Sequence, residues 1–380
     1  MKFAVHARPL LNPISGIGRY LIDLMSEIER DGRYEPEYFV AMRWHRTLQA
    51  PASGPVLSPG LVSRLRSLKP LTALGRSLQR HRFASGIRSK GLQFYFEPNY
   101  LPYEADVPTI ITVHDISHLR HPETHPAKRV EDLTRLLPGA IERASCILTV
   151  SEFSRREVIS EFGVDPGRVH ATPLGVDPRF HPRDADATRA LLAPLGLTYG
   201  RYVLSVGTLE PRKNVLAVLR AHGKLPADLR QRYPLVIAGK SGWLTETLDR
   251  EIAKGEARGD VRRLGHVSDP QLPLLYAGAT LFAYPSLYEG FGLPPLEAMA
   301  SGVPVIVSNR ASLPEVVGDA GIQVEPDDVD GLAASLQRIV EDAEFARELA
   351  ERGLARARTF TWRRCAEMTM HAWDSVLGKR

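Results

Sequence analysis

The chain alternates short β-rich runs with amphipathic helical stretches, and it does so in two successive series. Strand candidates in the first series are Lys2–Ala7, Glu37–Met42, Gln93–Phe96, Thr109–Val113, Cys146–Val150 and Val169–Thr172. Helical spacing of apolar residues fills gaps between them at Gly18–Arg30, Ala127–Ala144 and Ser154–Phe162, the last opening on a capping box of Ser154 with Glu157. Residues 173–200 break the rhythm with Pro173, Pro178, Pro182 and Pro194, and Asp184-Ala-Asp186 reads there as a polar turn in an interdomain connection. The second series places strands near Arg201–Val206, Leu235–Ala238, Val261–Leu264, Thr280–Tyr284, Val303–Val307 and Gly321–Val324. Strands separated by helices need long crossovers, and such crossovers build parallel sheets covered on both faces. The expectation is an α/β protein of two doubly wound domains, residues 1–180 and 181–360, facing each other across a cleft. Helices finish the chain over Asp328–Arg358 (broken) and Thr361–Leu377, with the helix of about 361–380 returning to the first domain.

The 380 residues suffice for two cores, and 43% hydrophobic with 24% charged residues is the balance of a water-soluble chain. No apolar run approaches the eighteen residues of a membrane span, and the start, Met-Lys-Phe-Ala-Val-His, reads as a strand rather than a signal peptide. Two cysteines, Cys146 and Cys365, make neither a disulfide framework nor a thiolate metal site, which suits a reducing cytoplasm. The net charge of +5 is unevenly placed: no acid lies between Glu37 and Glu97, while Arg43, Arg46, Arg64, Arg66, Lys69, Arg76, Arg80, Arg82, Arg88 and Lys90 do. Such a patch attracts anions, whether nucleic acid, lipid headgroups or a phosphorylated substrate. Leu61, Leu65, Leu68, Leu71, Leu74 and Leu78 recur in it at helical spacing, with Pro70 interrupting. A basic amphipathic helix on an anionic membrane and a helix packed on the domain core are equally good readings.

Three segments combine glycine turns with charge at the ends of strands. Gly16-Ile-Gly-Arg-Tyr20 follows the first strand and opens a helix, so Gly16 and Gly18 let backbone approach a phosphate or sugar. It lacks the full dinucleotide fingerprint, and a plain turn is an equally good reading. Val206-Gly-Thr-Leu-Glu-Pro-Arg-Lys-Asn214 repeats the arrangement in the second series. Two cations, Arg212 and Lys213, ahead of a helix oppose its dipole, which points to a functional reason such as a diphosphate. The third, Pro285-Ser-Leu-Tyr-Glu-Gly-Phe-Gly-Leu-Pro-Pro-Leu-Glu297, holds Glu289 and Glu297 eight positions apart around a helix start near Gly292. Both acids and the free helix N–H groups then face one cleft. His114, His118, His121 and His125 with Asp115 match no metal-ligand spacing, and Pro122 and Pro126 break any helix that would align them. His114-Asp115 ends a strand and points into the cleft, so a polar contact with a substrate is the better reading. No nucleophile elbow and no P-loop is present.

Taken together these segments resemble family 4 of the retaining glycosyltransferases, which have the GT-B fold of two Rossmann-like domains. The resemblance spans nearly the whole chain and includes Val150-Ser-Glu-Phe-Ser154 and Pro173-Leu-Gly-Val-Asp177. The Glu289/Glu297 pair around Gly290-Phe-Gly-Leu-Pro294 is its most specific element, while Gly207–Asn214 is similar to mannosyl- and rhamnosyltransferases of O-antigen and exopolysaccharide assembly. The resemblance implies that Glu289 contacts donor-sugar hydroxyls and Glu297 the nucleotide ribose. It implies that Lys213 with Arg212 holds the diphosphate, that Phe291, Gly292 and Leu293 offer backbone N–H groups, and that Gly16 approaches the diphosphate from the other domain. His114, beside Asp115, would meet the donor sugar, and backbone near Gly265-His-Val267 the base. Where many members carry an arginine after the strand-ending glycine, this chain has Thr208, and Arg212 is expected to substitute. The implied partners are a nucleoside diphosphate sugar, GDP-mannose or GDP-D-rhamnose leading, and a lipid-linked glycan at the inner face of the cytoplasmic membrane. No nucleic acid, no metal and no other cofactor is expected. The rival readings are a UDP-N-acetylglucosamine epimerase on the same fold and an inactive glycan-binding protein.

Overall fold

The computed structural model describes residues 1–11, 16–48, 69–243 and 245–378, with the side chains of residues 69–74 and 76 outside the description. The first series forms a seven-stranded sheet in the order β3-β2-β1-β4-β5-β6-β7: β1 Lys2–His6, β2 Glu35–Val40, β3 Arg43–His45, β4 Phe94–Glu97, β5 Thr109–Val113, β6 Cys146–Thr149 and β7 Val169–Ala171. The second forms a six-stranded sheet in the order β10-β9-β8-β11-β12-β13: β8 Val203–Val206, β9 Leu235–Ala238, β10 Val261–Gly265, β11 Leu281–Tyr284, β12 Val305–Ser308 and β13 Ile322–Val324. All described pairings are parallel except β2 with β3. The central strands β4, β5, β6, β9, β11 and β12 are buried on both faces, as continuous apolar runs such as Thr109–Val113 require. Two doubly wound α/β units result, as expected.

Three local readings need correction. The strand expected at Glu37–Met42 stops at Val40, because Ala41 and Met42 take positive φ (46° and 68°) and turn the chain back into β3. The helix Glu152–Phe162 is capped by Ser151, whose Oγ accepts from Ser154 N, so the cap lies three residues before the expected one. Asp184 is not a loop residue but the cap of the helix Ala185–Leu192. The expected break in Asp328–Arg358 falls at Asp342, which ends Val329–Glu341 and caps Ala343–Ala357 through Phe345 N.

The helix Trp362–Val376 crosses back to lie against the helix Gly16–Asp31 and the first sheet. Its Trp373 is fully buried among Phe3, Tyr34, Phe94 and Phe96. Burial of one such large ring stabilises by about 3 kcal/mol or more. In the basic patch, Leu61, Leu65, Leu68, Arg64 and Arg66 lie outside the described residues. The helix Lys69–Lys90 carries Pro70 in its first turn, where the missing N–H costs nothing. Its Phe83 and Ile87 pack on the sheet, while Leu78 is exposed and so does not serve the core. Arg88 and Lys90 pair with Asp106 and Glu37, whereas no ion pair holds the exposed Arg80 and Arg82 among the described residues.

Candidate active site in the interdomain cleft

In the second sheet the strand order reverses between β8 and β11, the position where doubly wound sheets open a crevice beyond their carboxyl ends. The loop after β8 carries Arg212 and Lys213, and the loop after β11 carries Glu289. After β8 the chain makes a single 3-10 turn, Pro211–Lys213, then a left-handed Asn214 (φ 53°) before the helix Val215–Lys224. Asn214 Nδ2 donates to the Pro285 and Pro326 carbonyls at 3.1 and 2.7 Å. Leu287 N and Ser286 Oγ both donate to the Arg212 carbonyl at 2.8 and 2.9 Å. The cation turn and the acid loop are therefore one hydrogen-bonded unit.

Glu289 is buried in that unit. Its Oε1 accepts from Lys213 Nζ (2.6 Å), Ser286 Oγ (2.7 Å) and Tyr284 Oη (2.8 Å), and its Oε2 pairs with Arg212 at 3.2 Å. Burial pushes the Glu289 carboxyl up, but Lys213 and Arg212 outweigh it and hold the pKa at about 2. Burial, and then the charge of Arg212, pull the Lys213 ammonium below its ordinary range. Arg212 also donates to Glu210 (2.6 Å) and to the Tyr288 carbonyl, and its buried Nε has no partner among the described residues. Burial pulls its guanidinium down, yet Glu289, Asp115 and Glu210 more than compensate and the net shift is upward.

Glu297 stands in the opposite state. It lies on the helix Leu293–Ala300, which starts after Gly292 (φ 127°), a conformation that favours glycine. The residue is 8% exposed, and burial raises its pKa to about 7, with Arg19 and Tyr276 pulling it down and Asp177 pushing it up. Two carboxyls on one segment are thus separated by environment, one firmly ionised and one titrating near neutrality.

The first domain brings His114 to the same cleft. Its Nε2 donates to the Pro98 carbonyl at 2.9 Å, and its ring stands edge-on to Tyr20 and Tyr100. Burial lowers its pKa, so it is neutral with the proton on Nε2, and Nδ1 is left as an acceptor for a hydroxyl. Asp115 Oδ1 accepts from Ser117 N and Oγ at 2.9 and 2.7 Å; burial raises its pKa, but Arg212 and Ser117 carry it below the carboxylate range. It serves first to shape the loop after β5. The other histidines disperse: His125 Nε2 meets Ser117 Oγ, His121 packs on Tyr288, and among the described residues no cluster of three or more His, Cys, Asp or Glu is placed to hold a metal.

The remaining expected residues fall around this centre. Gly16 is the exposed first residue of its helix, with open space where a Cβ would sit, and Gly18 is buried in the first turn. Phe291 is buried against Phe360, with its carbonyl taken by Ser312 Oγ. Leu293 opens the helix Leu293–Ala300, and Val267 is half-buried on the loop after β10. Arg19 was passed over although it lies inside the Gly16–Tyr20 motif; it bridges to Asp177 at 3.4 Å and Asp269 at 2.8 Å, tying the first helix to the loop after β10. Tyr284 and Ser286, which hold Glu289, were signalled by their place at the end of β11. Nothing in the sequence singles out Tyr276 or Glu315.

Residues 14–180 match the family described as Glycosyltransferase Family 4, and residues 196–356 match Glycosyl transferases group 1. O-antigen chain mannosyltransferase B of Escherichia coli is 38% identical, over 98% of this chain and 99% of its own. Serotype-specific mannosyltransferase WbdA of Escherichia coli is 33% identical over 74% of this chain, which spans 36% of that longer protein. Among solved structures, WaaG, a glycosyltransferase involved in lipopolysaccharide biosynthesis, superposes with a TM-score of 0.71 at 17% identity over 99% of both chains. The fold is therefore GT-B.

Proposed function

The chain belongs to the glycosyltransferases of family 4 and group 1, and from that premise we propose that it transfers mannose from GDP-mannose to a lipid-linked glycan in O-antigen assembly. The mannosyltransferases it is similar to supply the sugar and the setting. GDP-D-rhamnose is the alternative to GDP-mannose as donor. The observation that carries the reading is the Glu289–Lys213–Arg212 cluster at the switch point, beside the helix that begins at Leu293.

On this reading the anomeric C–O bond to the diphosphate breaks and its electron pair moves to the leaving phosphate oxygen. Lys213, with Arg212 and the N–H groups of Gly292 and Leu293, stabilises that charge. The acceptor hydroxyl attacks from the same face, its proton passes to the phosphate oxygen, and configuration is retained. Glu289 is a poor nucleophile because four donors already hold its oxygens and its pKa is about 2. It orients sugar hydroxyls and stabilises positive charge at the anomeric carbon. His114 Nδ1 accepts from a sugar hydroxyl, and Glu297 from the ribose.

Lys213→Ala tests the assignment. Loss of one such donor raises the barrier by about 3–4 kcal/mol, so turnover with GDP-mannose falls by a factor on the order of 10² to 10³. Full activity in that variant removes Lys213 from the diphosphate site. Activity is expected to survive EDTA.

No helix among the described residues is long and apolar enough to cross a membrane. Peripheral contact with the inner face of the cytoplasmic membrane rests on the basic patch, whose Arg80 and Arg82 are exposed. Neutralising Arg64, Arg66, Arg80 and Arg82 is expected to abolish co-sedimentation with anionic vesicles; unchanged binding removes that support.

A further inference from the structure

The helix Glu152–Phe162 of the first domain starts at the interdomain boundary, and its first three N–H groups have no partner within the helix. Ser151 Oγ accepts from Ser154 N at 3.0 Å. The other two are taken from across the cleft: Glu315 Oε1 accepts from Glu152 N at 2.9 Å and Glu315 Oε2 from Phe153 N at 3.0 Å. A carboxylate at this place satisfies two donors and complements the helix dipole. Glu315 is itself held, because Arg356 donates to the Glu315 and Val316 carbonyls at 2.6 and 3.0 Å.

The same helix end grips both halves of the candidate active site. Ser151 Oγ donates to the Gly290 carbonyl at 2.6 Å, and Ser154 Oγ lies 3.1 Å from the Gly290 carbonyl and 3.2 Å from the His114 carbonyl. Gly290 follows Glu289, and Ser312, three residues before Glu315, donates to the Glu289 carbonyl at 2.9 Å. A Cβ on Gly290 would fall 2.2 Å from the His114 carbonyl oxygen, so the two backbones touch.

We propose that Glu315 is a positioning residue for glycosyl transfer: by capping a helix of the other domain it holds the closed arrangement in which His114 meets a sugar bound at Glu289. Opening the cleft strips two helix donors of their acceptor. Removing the carboxylate therefore shifts the closed-to-open ratio toward open by about tenfold, the usual weight of a helix cap. Lys213, Glu289 and Glu297 all lie on the second domain and His114 adds one sugar contact from the first, so donor affinity falls much less than turnover. The choice of donor and the sugar contacts of Glu289 and His114 rest on the function proposed above.

The full chain is compared with Glu315→Ala and Glu315→Gln, the latter keeping one acceptor oxygen. Small-angle scattering without donor is expected to show a larger radius of gyration for Glu315→Ala and an intermediate one for Glu315→Gln. With GDP-mannose, kcat is expected to fall about tenfold in Glu315→Ala and less in Glu315→Gln, with the calorimetric donor Kd within about twofold of the parent. Unchanged scattering with unchanged kcat overturns the proposal. So does a loss of kcat in step with donor affinity and Tm, since that marks collapse of the acid loop. If the parent protein binds no GDP-mannose, the donor assignment fails while the scattering comparison still decides the role of Glu315.

Discussion

Replacing Glu297 with glutamine should stabilise the free protein, and by an amount that depends on pH. Burial raises the Glu297 pKa from its ordinary 4.5 to about 7. The folded chain thus holds that proton where the unfolded chain releases it, and stability falls as pH rises from 4.5 to about 7. At 1.36 kcal/mol per unit, the cost of ionising Glu297 is about 1 kcal/mol at pH 5 and about 3 kcal/mol at pH 8. Glutamine fills the same space without that cost. Calorimetric unfolding of both proteins at pH 5 and pH 8 should show the Tm advantage of Glu297→Gln growing with pH. An equal difference at the two pH values would refute the reasoning. The same group predicts a proton signal in binding. A ribose that needs the ionised carboxylate must displace about half a proton at pH 7, and GDP titrations in buffers of different ionisation enthalpy read that release. Glu297→Gln should abolish it and weaken GDP binding.

Glu289 predicts the opposite pH dependence. Its pKa is depressed to about 2, so it contributes about 3 kcal/mol above its unfolded value near 4.5, lost as pH falls toward 2; the stability gap between parent and Glu289→Gln should close at acid pH, followed by chemical denaturation. Arg212→Ala leaves Glu210 and Glu289 buried with fewer counter-charges and the Tyr288 carbonyl with only the longer bond from Ser286 Oγ at 3.3 Å, and should cost about 3 kcal/mol in denaturant titration. Gly290→Ala puts a methyl against the His114 carbonyl and should lower kcat more than donor affinity, read by steady-state kinetics beside calorimetry.

Much of the architecture was legible because periodicity reports it directly. β5 and β9 have the bounds that their apolar runs suggest, and most other strands differ by one or two residues. The hairpin from β2 to β3 was not legible, because its turn residues are Ala41 and Met42 rather than the asparagine and glycine that usually take positive φ. The cap at Ser151 was missed for a different reason: Ser154 and Glu157 offer the same residue types, and only the geometry shows which serine ends the extended strand. Glu289, Lys213 and Glu297 stood out by their setting around glycine turns, whereas Glu315 looks like any first-turn acid until the other domain's helix is seen above it.

The sequence by itself determined the two alternating series, hence two parallel sheets, and the strand ends where cations and carboxylates collect. Those are local properties, set by side-chain period and turn chemistry within a few residues. The tertiary structure alone decided the states of the two glutamates, because a pKa depends on which charges and how little water surround a group. Glu289 met Lys213 and Arg212 from a loop more than seventy residues away, while Glu297 met burial with only a partial offset from Arg19. It alone also decided that a helix of one domain would be capped by an acid of the other, a pairing between residues more than 160 positions apart that no local pattern encodes.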